Sequence, residues 1–443
     1  MGNKIMLAVL LLCLKMGAQE AWSLKQCIAY GLQHHRNNTI YANEKLAADA
    51  MAREALAAYL PNIGITASFD NNIRLQQTVI PANVFGPEAI RGSLGQRYGT
   101  DAVIEVNQVL YDQSILTGLK ANRYLGQQAD LTLEQAQEAI IYNISIAYFQ
   151  ILVYTQQLRL LGYNNETYAR QQDIYRLQVE KGVALQKDLD KVTVDFNNTA
   201  SQIRVAQSNL RLAENQLKYE MGYPINEPIL LHIADEIALP PLPQGAEDTF
   251  SPSARTDYRI SELNIKVLET EQSRIRAEAL PKLSAYFRYG AVSFSDHFKD
   301  SYDDMLPYST VGLKLSIPVF DFFRRGAQYR QASINTANAG ESLTLAGRKY
   351  IMEYENARTR LLQAEISIEN DKRNVILAES VLSITDLQFR KGTTDLTDWL
   401  NTQYALKEAQ NNYLGSLYLH YQARADFEKA AGTLKNFYNS LDR

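Results

Sequence analysis

The sequence predicts a mainly helical chain with a small antiparallel β part. Three observations carry that prediction: long proline-free runs with a heptad apolar repeat, four short segments in which the period drops to two, and a tandem duplication that writes both features twice. In this reading the helices are long coiled-coil elements of an α-barrel. The strands are one copy's share of a larger transmembrane β-barrel.

The chain opens with MGNKIMLAVLLLCLKMGA (1–18), an early lysine, an apolar stretch from Ile5 to Leu14, then small Gly17-Ala18. That layout is a secretory signal peptide, too short to span a bilayer, with cleavage expected after Ala18. Cys13 follows Leu10-Leu11-Leu12, a bulky context that suits lipid attachment poorly, so it reads as signal core. Two cysteines in 443 residues exclude a disulfide framework. The formal charge of −4, more negative still once Lys4 and Lys15 are removed, gives no electrostatic case for nucleic acid. No later run of eighteen apolar residues exists. A mature chain that enters a membrane must therefore do so as strands.

The duplication sets the order of the elements. Lys181-Gly182 recurs as Lys391-Gly392 and Met221-Gly222 as Ala431-Gly432, both 210 residues on. Between them, Leu189, Phe196, Ile203, Leu210 and Leu217 lie seven apart, as do Trp399, Leu406, Tyr413, His420 and Phe427. Slim side chains sit three residues after the first four of each series: Val192, Thr199, Ala206, Ala213, and Thr402, Ala409, Ser416, Ala423. Ala57-Ala58-Tyr59-Leu60-Pro61 is echoed by Ala277-Glu278-Ala279-Leu280-Pro281, offset by 220. The repeats span 19–223 and 253–443. Six of the twelve prolines crowd residues 224–252, which therefore read as an irregular connector.

Each repeat holds a long helical hairpin. Ile140, Ile144, Ala147, Ile151, Tyr154, Leu158 and Leu161 alternate spacings of four and three, and Tyr168 and Tyr175 continue one column. In the second repeat Tyr354, Leu361, Ile368, Val375, Leu382 and Phe389 form one column, and Ala357, Ala364, Ala378 and Thr385 the other. A sustained 3.5-residue repeat calls for left-handed supercoiling against neighbours. A helix over about 113–180 would be roughly 100 Å long at ~1.5 Å per residue. The hairpin tips are expected near 181–188 and 391–398.

After each Leu-Pro the period changes to two, giving strand hairpins expected at about 62–110 and 282–319. Ile63, Ile65, Ala67 and Phe69 alternate with polar or small residues. Ala102, Ile104, Val106 and Leu110 do so less cleanly. Leu283, Ala285, Phe287 and Tyr289 form the third set, and Val311, Leu313, Leu315, Ile317 and Val319 the fourth. Each segment matches the ~9–11 residues of a tilted membrane strand, and Tyr286 and Tyr289 are candidates for an interfacial aromatic girdle. Four strands cannot close a membrane barrel, because known ones begin at about eight. Three copies supply twelve, so a cyclic homotrimer is the economical solution.

These residues resemble the TolC-type outer-membrane efflux proteins over essentially the whole mature length. The resemblance rests on WSLKQCIAYGLQHHRNNTI after the leader, Leu-Pro before the first and third strands, SIPVFDFFRRG and its weaker counterpart NQVLYDQSILTG leading into the long helices, and the two Lys-Gly turns. WSLKQCIAYGL is similar to the Bacteroidota branch. The resemblance implies a trimeric conduit in the outer membrane that extends into the periplasm as an α-helical tunnel, serving a tripartite efflux or type I secretion system. Its partners would be a periplasmic adaptor and an inner-membrane pump of the RND or ABC class. The tip turns, Lys181, Gly182, Lys391, Gly392 and Asp395, would meet the adaptor. Asp398 falls on the family's first constriction aspartate, and Asp188 on the equivalent acidic position of the first repeat. The second constriction aspartate is Asn401 here, the gating arginine is Thr394, and the nearby tyrosine is Phe389, which implies a gate held by different contacts.

Elementary physics reads the same turns without the family. Glycine permits the left-handed residue that ends a helix, Lys391 suits the negative dipole end, and Asp395 suits the next N-terminus. Capping thus accounts for Gly182, Gly392, Lys391 and Asp395 on its own. Asp398 lies a turn further in and, in a threefold assembly, would form a ring of three carboxylates that attracts cations.

Catalytic, metal and cofactor patterns are missing from the sequence. His34-His35, His232, His297 and His420 have no ligand spacing, His420 sits in a packing column, and neither a phosphate loop nor G-x-S-x-G occurs. The chain is not expected to be an enzyme. The alternative to a channel is a periplasmic coiled-coil scaffold or adaptor, which would require strands with a polar outward face.

Overall fold

A computed structural model describes residues 21–80, 82, 87–93, 95–233, 239 and 250–441. The expected signal peptide lies outside the described residues, as does most of the connector. The first repeat contains α1 (Leu24–His34), α2 (Arg36–Ala57), β1 (Asn62–Asn71), β2 (Gln77–Ile80), β3 (Ile90–Ser93), β4 (Tyr98–Tyr111), α3 (Gln113–Glu180) and α4 (Gln186–Met221). The second contains α5 (Thr256–Ala277), β5 (Lys282–Ser295), β6 (Leu306–Ser316), α6 (Arg324–Arg390), α7 (Leu396–Ala431) and α8 (Leu434–Ser440). The duplication is visible in the lengths: α3 and α6 have 68 and 67 residues, and α4 and α7 have 36 each.

The chain divides into two compact units, and each takes residues from both repeats: 1–44, 130–261 and 342–443 form one, 45–129 and 262–341 the other. The compact units therefore cut across the sequence repeats.

The second unit is built on a four-stranded antiparallel sheet in the order β1-β4-β5-β6. Its strands start where helices are stopped. Leu60 and Leu280 donate their N–H groups to the carbonyls of Ala57 and Ala277, both at 3.0 Å, and the following prolines have no N–H to continue the helix. The register then sorts the side chains. Ile63, Val106, Phe287 and Val311 share one row, Ile65, Ile104, Tyr289 and Ser309 the next, and Leu313 and Leu315 extend the same face beside Ala285 and Leu283. On the opposite face lie Gly64, Glu105, Arg288 and Thr310, with Glu105 and Arg288 paired at 3.1 Å. Tyr308 donates to Asp101 on that side at 3.2 Å. Tyr286 also belongs there, lying over Gly312 so closely that a Cβ would meet its ring at 2.6 Å. The register thus separates Tyr286 from Tyr289, and only Tyr289 stands on the apolar side. That apolar face is bare within this chain: Ile65 is 76% exposed, Val311 80% and Leu313 69%.

Two details depart from the expected strands. A register shift between Val109 and Tyr111 marks a bulge, which explains why Leu110 fell out of clean alternation. β6 stops at Ser316, so Ile317 and Val319 lie beyond it. Pro318 offers no ladder donor, and Phe322 and Phe323 turn the chain with φ of 50° and 64°. The loop between β1 and β4 also carries the short β2–β3 hairpin, which its polar composition concealed.

The first unit is helical. Ser23 and Gln26 form a reciprocal capping box at the start of α1, whose Cys27 and Ile28 pack against Ile140, Ile144, Tyr148, Leu217, Met221, Tyr421 and Phe437. Burial pushes the free Cys27 thiol up to about 12, so it stays protonated. Trp22 bridges Leu231 of the connector, donating to the Leu230 carbonyl at 2.8 Å. In α4 the slim column, Val192, Thr199, Ala206 and Ala213, is the buried one. Small side chains there let neighbouring helices approach closely, while the larger residues flank the seam.

Candidate gate and docking tips of the helical hairpins

Both hairpins of the first unit end in the same turn. Gly182 and Gly392 adopt φ of 74° and 73°, which a side chain would strain. Val183 donates to the Gln178 carbonyl at 2.9 Å, and Thr393 to the Gln388 carbonyl at 3.0 Å, the six-to-one bonds of a Schellman ending. Lys181 and Lys391 stand exposed on these turns.

The restarts differ. Asp395 is the N-cap of α7, accepting from the Asp398 N–H at 2.9 Å. The equivalent N-cap of α4 is Leu185, which offers no side-chain acceptor. The Asp398 carboxylate in turn accepts from the Thr394 hydroxyl at 3.0 Å. Asp398 is therefore engaged rather than unattached. Asn401 lies one turn further along α7 and is exposed, as is Asp398.

Beneath the tips an aromatic cluster fixes the hairpins together. Trp399, 1% exposed, packs edge-on to Tyr168 at 6.2 Å and beside Phe389 at 5.9 Å, and Phe389 stacks on Tyr175. The Trp399 indole N–H donates to Asp386 at 3.2 Å, and Asp386 also pairs with Arg390 at 2.8 Å. A groove of about 1210 Å³ runs between the tips, lined by Asp188, Phe389, Thr394 and Asp395 among others. Asp398 and Asn401 do not line it. The structure thus gathers Asp188, Phe389, Thr394 and Asp395 at one groove and places Asp398 and Asn401 on a solvated helix face.

Sequence reasoning missed a polar contact between the repeats. The Tyr404 hydroxyl donates to buried Asp195 at 2.5 Å. Local desolvation of its hydroxyl, reinforced by that carboxylate, pushes Tyr404 up to about 12, although the residue as a whole is exposed. Burial also lowers the Lys407 ammonium from its ordinary value, against the pull of Asp195. No sequence signal marks this set, because the partners are 209 residues apart. Asp386 was equally invisible, as its role depends on where Trp399 points.

Comparisons with known proteins agree with this architecture. Residues 255–433 match the family described as outer membrane efflux protein. Outer membrane protein TolC of Escherichia coli is 22% identical over 403 residues, which covers 89% of this chain and 78% of that protein. Among solved structures, VceC of Vibrio cholerae superposes with a TM-score of 0.74 at 14% identity, covering 92% of this chain and 96% of that one. The CmeC outer membrane channel of Campylobacter jejuni gives 0.74 at 16% identity, covering 93% and 85%. At these identities the structures establish a shared fold.

Proposed function

We propose that this chain, a TolC-type outer-membrane efflux protein, works as the passive exit duct of a tripartite efflux or type I secretion system. The observation that carries the reading is the sheet. One face is apolar and bare, the other is polar with an internal ion pair, and strands β1 and β6 leave both edges unpaired within the chain. In water such a sheet is an aggregation hazard. In lipid it becomes a third of a barrel, with the apolar face outward and Glu105, Arg288 and Lys314 toward an aqueous lumen. A homotrimer closes twelve strands by pairing β6 of each copy with β1 of the next.

The helices support the same symmetry. Ile366, Ile376, Leu377, Ile384 and Leu387 on α6 are exposed in a single copy. Neighbouring copies would cover them and complete an α-helical tunnel in the periplasm. The tip turns at Lys181-Gly182 and Lys391-Gly392, with Asp395, are the surfaces for a periplasmic adaptor linked to an inner-membrane RND or ABC pump. Asp398, held by Thr394, forms the charged ring of the constriction. Asn401 supplies a neutral second ring, and Phe389 and Asp188 back the gate from the groove. A coiled-coil scaffold would leave the apolar face without a purpose, so the channel is favoured.

The test is purification and conductance. The protein is expected to leave membranes only with detergent, migrate as a heat-resistant trimer, and give discrete ion currents in a planar bilayer. A detergent-free soluble monomer would overturn the reading.

A further inference from the structure

Strands β5 and β6 carry the same spaced pair, Tyr286-x-x-x-Gly290 and Tyr308-x-x-x-Gly312. The antiparallel register sets each tyrosine directly opposite the other strand's glycine, with Arg288 and Thr310 paired between them. Each ring fills the space that a side chain would take. A Cβ on Gly312 would meet the Tyr286 ring at 2.6 Å, and one on Gly290 would meet the Tyr308 ring at 3.0 Å. Both tyrosines are half-buried, so each ring laid against its glycine keeps some surface open.

A glycine inside a strand offers nothing to pack, and a ring laid across it restores the lost contact. The first repeat shows that this sheet does not require the device. At the same distances after its Leu-Pro, 220 residues earlier, stand Thr66, Ser68 and Asp70 in place of Tyr286, Arg288 and Gly290. The β1–β4 ladder runs through ten residue pairs, and none sets an aromatic residue over a glycine except the end-of-strand neighbours of Gly99. Strand pairing alone does not account for the two tyrosines of the second repeat.

The surrounding chemistry identifies the ligand. The Arg288 guanidinium lies over the Tyr286 ring, 5.2 Å from its centroid. The carboxylates beside the rings are occupied: Glu105 accepts from Arg288 at 3.1 Å and from Asn107 at 3.0 Å, and Asp101 accepts from Tyr308 at 3.2 Å. Donors are in surplus. A guanidinium has more N–H groups than its bond to Glu105 uses, and Lys314 follows exposed on the same face of β6. The face therefore sets positively charged donors next to open π surface. Resting on the duct reading, which turns this face to the lumen, we infer that Tyr286, Arg288 and Tyr308 form a stacking station on the barrel wall for solutes that join a planar aromatic ring to an anionic group. The solute ring stacks on a tyrosine, its anion takes the Arg288 fork, and Lys314 adds attraction. A homotrimer would hold one station per copy, all at the same level of the barrel.

Single-channel recording of the full chain tests this with three probes added on the barrel side. Naphthalene-2-sulfonate has ring and anion, ethanesulfonate the anion alone, and phenyl β-glucoside a ring without charge. Naphthalene-2-sulfonate should reduce the current reversibly at a concentration about fivefold below that of either other probe. Equal block by ethanesulfonate or by the glucoside overturns the station. Two variants then locate it. Tyr286→Leu keeps Gly312 covered but removes the π face, and Arg288→Gln keeps a donor for Glu105 but removes the charge. Each should weaken the naphthalene-2-sulfonate block about fivefold relative to the variant's own open current. Block at unchanged strength in both variants overturns the assignment, and if neither variant assembles, the three probes on the unsubstituted chain decide alone. Currents without ring-dependent block defeat only the station, whereas an unsubstituted chain that gives no current defeats the duct reading beneath it.

Discussion

The hydroxyl of Thr394 and the carboxylate of Asp398 meet at 3.0 Å at the place where the gate is proposed. A neutral donor does not cancel a carboxylate's charge, so the proposed Asp398 ring would keep its attraction for cations. Asp398→Asn should therefore reduce cation selectivity and weaken block by divalent cations at low salt, read as single-channel current. Unchanged currents would leave Asp398 as a solvated charge. A second residue, Glu138, lies in the first unit. Burial raises the Glu138 carboxyl above its ordinary value, opposed by a hydrogen bond from Thr256 and assisted by Glu134 and Asp257. The folded chain thus holds this proton to higher pH than the unfolded chain does. Below the unfolded pKa Glu138 costs nothing. Stability falls as pH rises through the window up to the folded pKa, and the cost is complete above it. Glu138→Gln should raise the melting temperature at neutral pH, and the gain should vanish in acid below the ordinary carboxylate range.

The elements show what local sequence could announce. Long heptad runs, the two Lys-Gly stops and the Leu-Pro strand starts are all written within a few residues of where they act, and they were legible. The capping box at Ser23 and Gln26 had its signal in S-x-x-Q and could have been read. The end of β6 was not, since Ile317 and Val319 continue the alternation past the point where Pro318 breaks the ladder. The register that puts Tyr286 and Arg288 across from Gly312 and Thr310 depends on pairing between distant segments, as does the contact of Tyr404 with Asp195. Tip geometry yields its own expectation. α7 starts with a bonded Asp395 cap and α4 with Leu185, which has none. Such a cap is worth about 1 kcal/mol. Backbone amides over 183–188 should exchange faster than those over 393–398, and Asp395→Ala should abolish the difference, as read by hydrogen-exchange mass spectrometry.

At the scale of the molecule, the sheet has two open edges and a bare apolar face in a single copy. On the proposed trimeric reading, completeness is a property of the ring and not of the chain. Replacing Leu313 and Leu315 by lysine would set two charges on the proposed lipid side, at about 2–4 kcal/mol each if they lie near the midplane, and should prevent insertion. The genetic corollary is poisoning. A cell that makes normal and lysine-bearing chains in equal amounts and mixes them freely would build only about one ring in eight from sound copies alone. Export should then collapse far below half, the dominant inheritance expected of a stave missing from a cask.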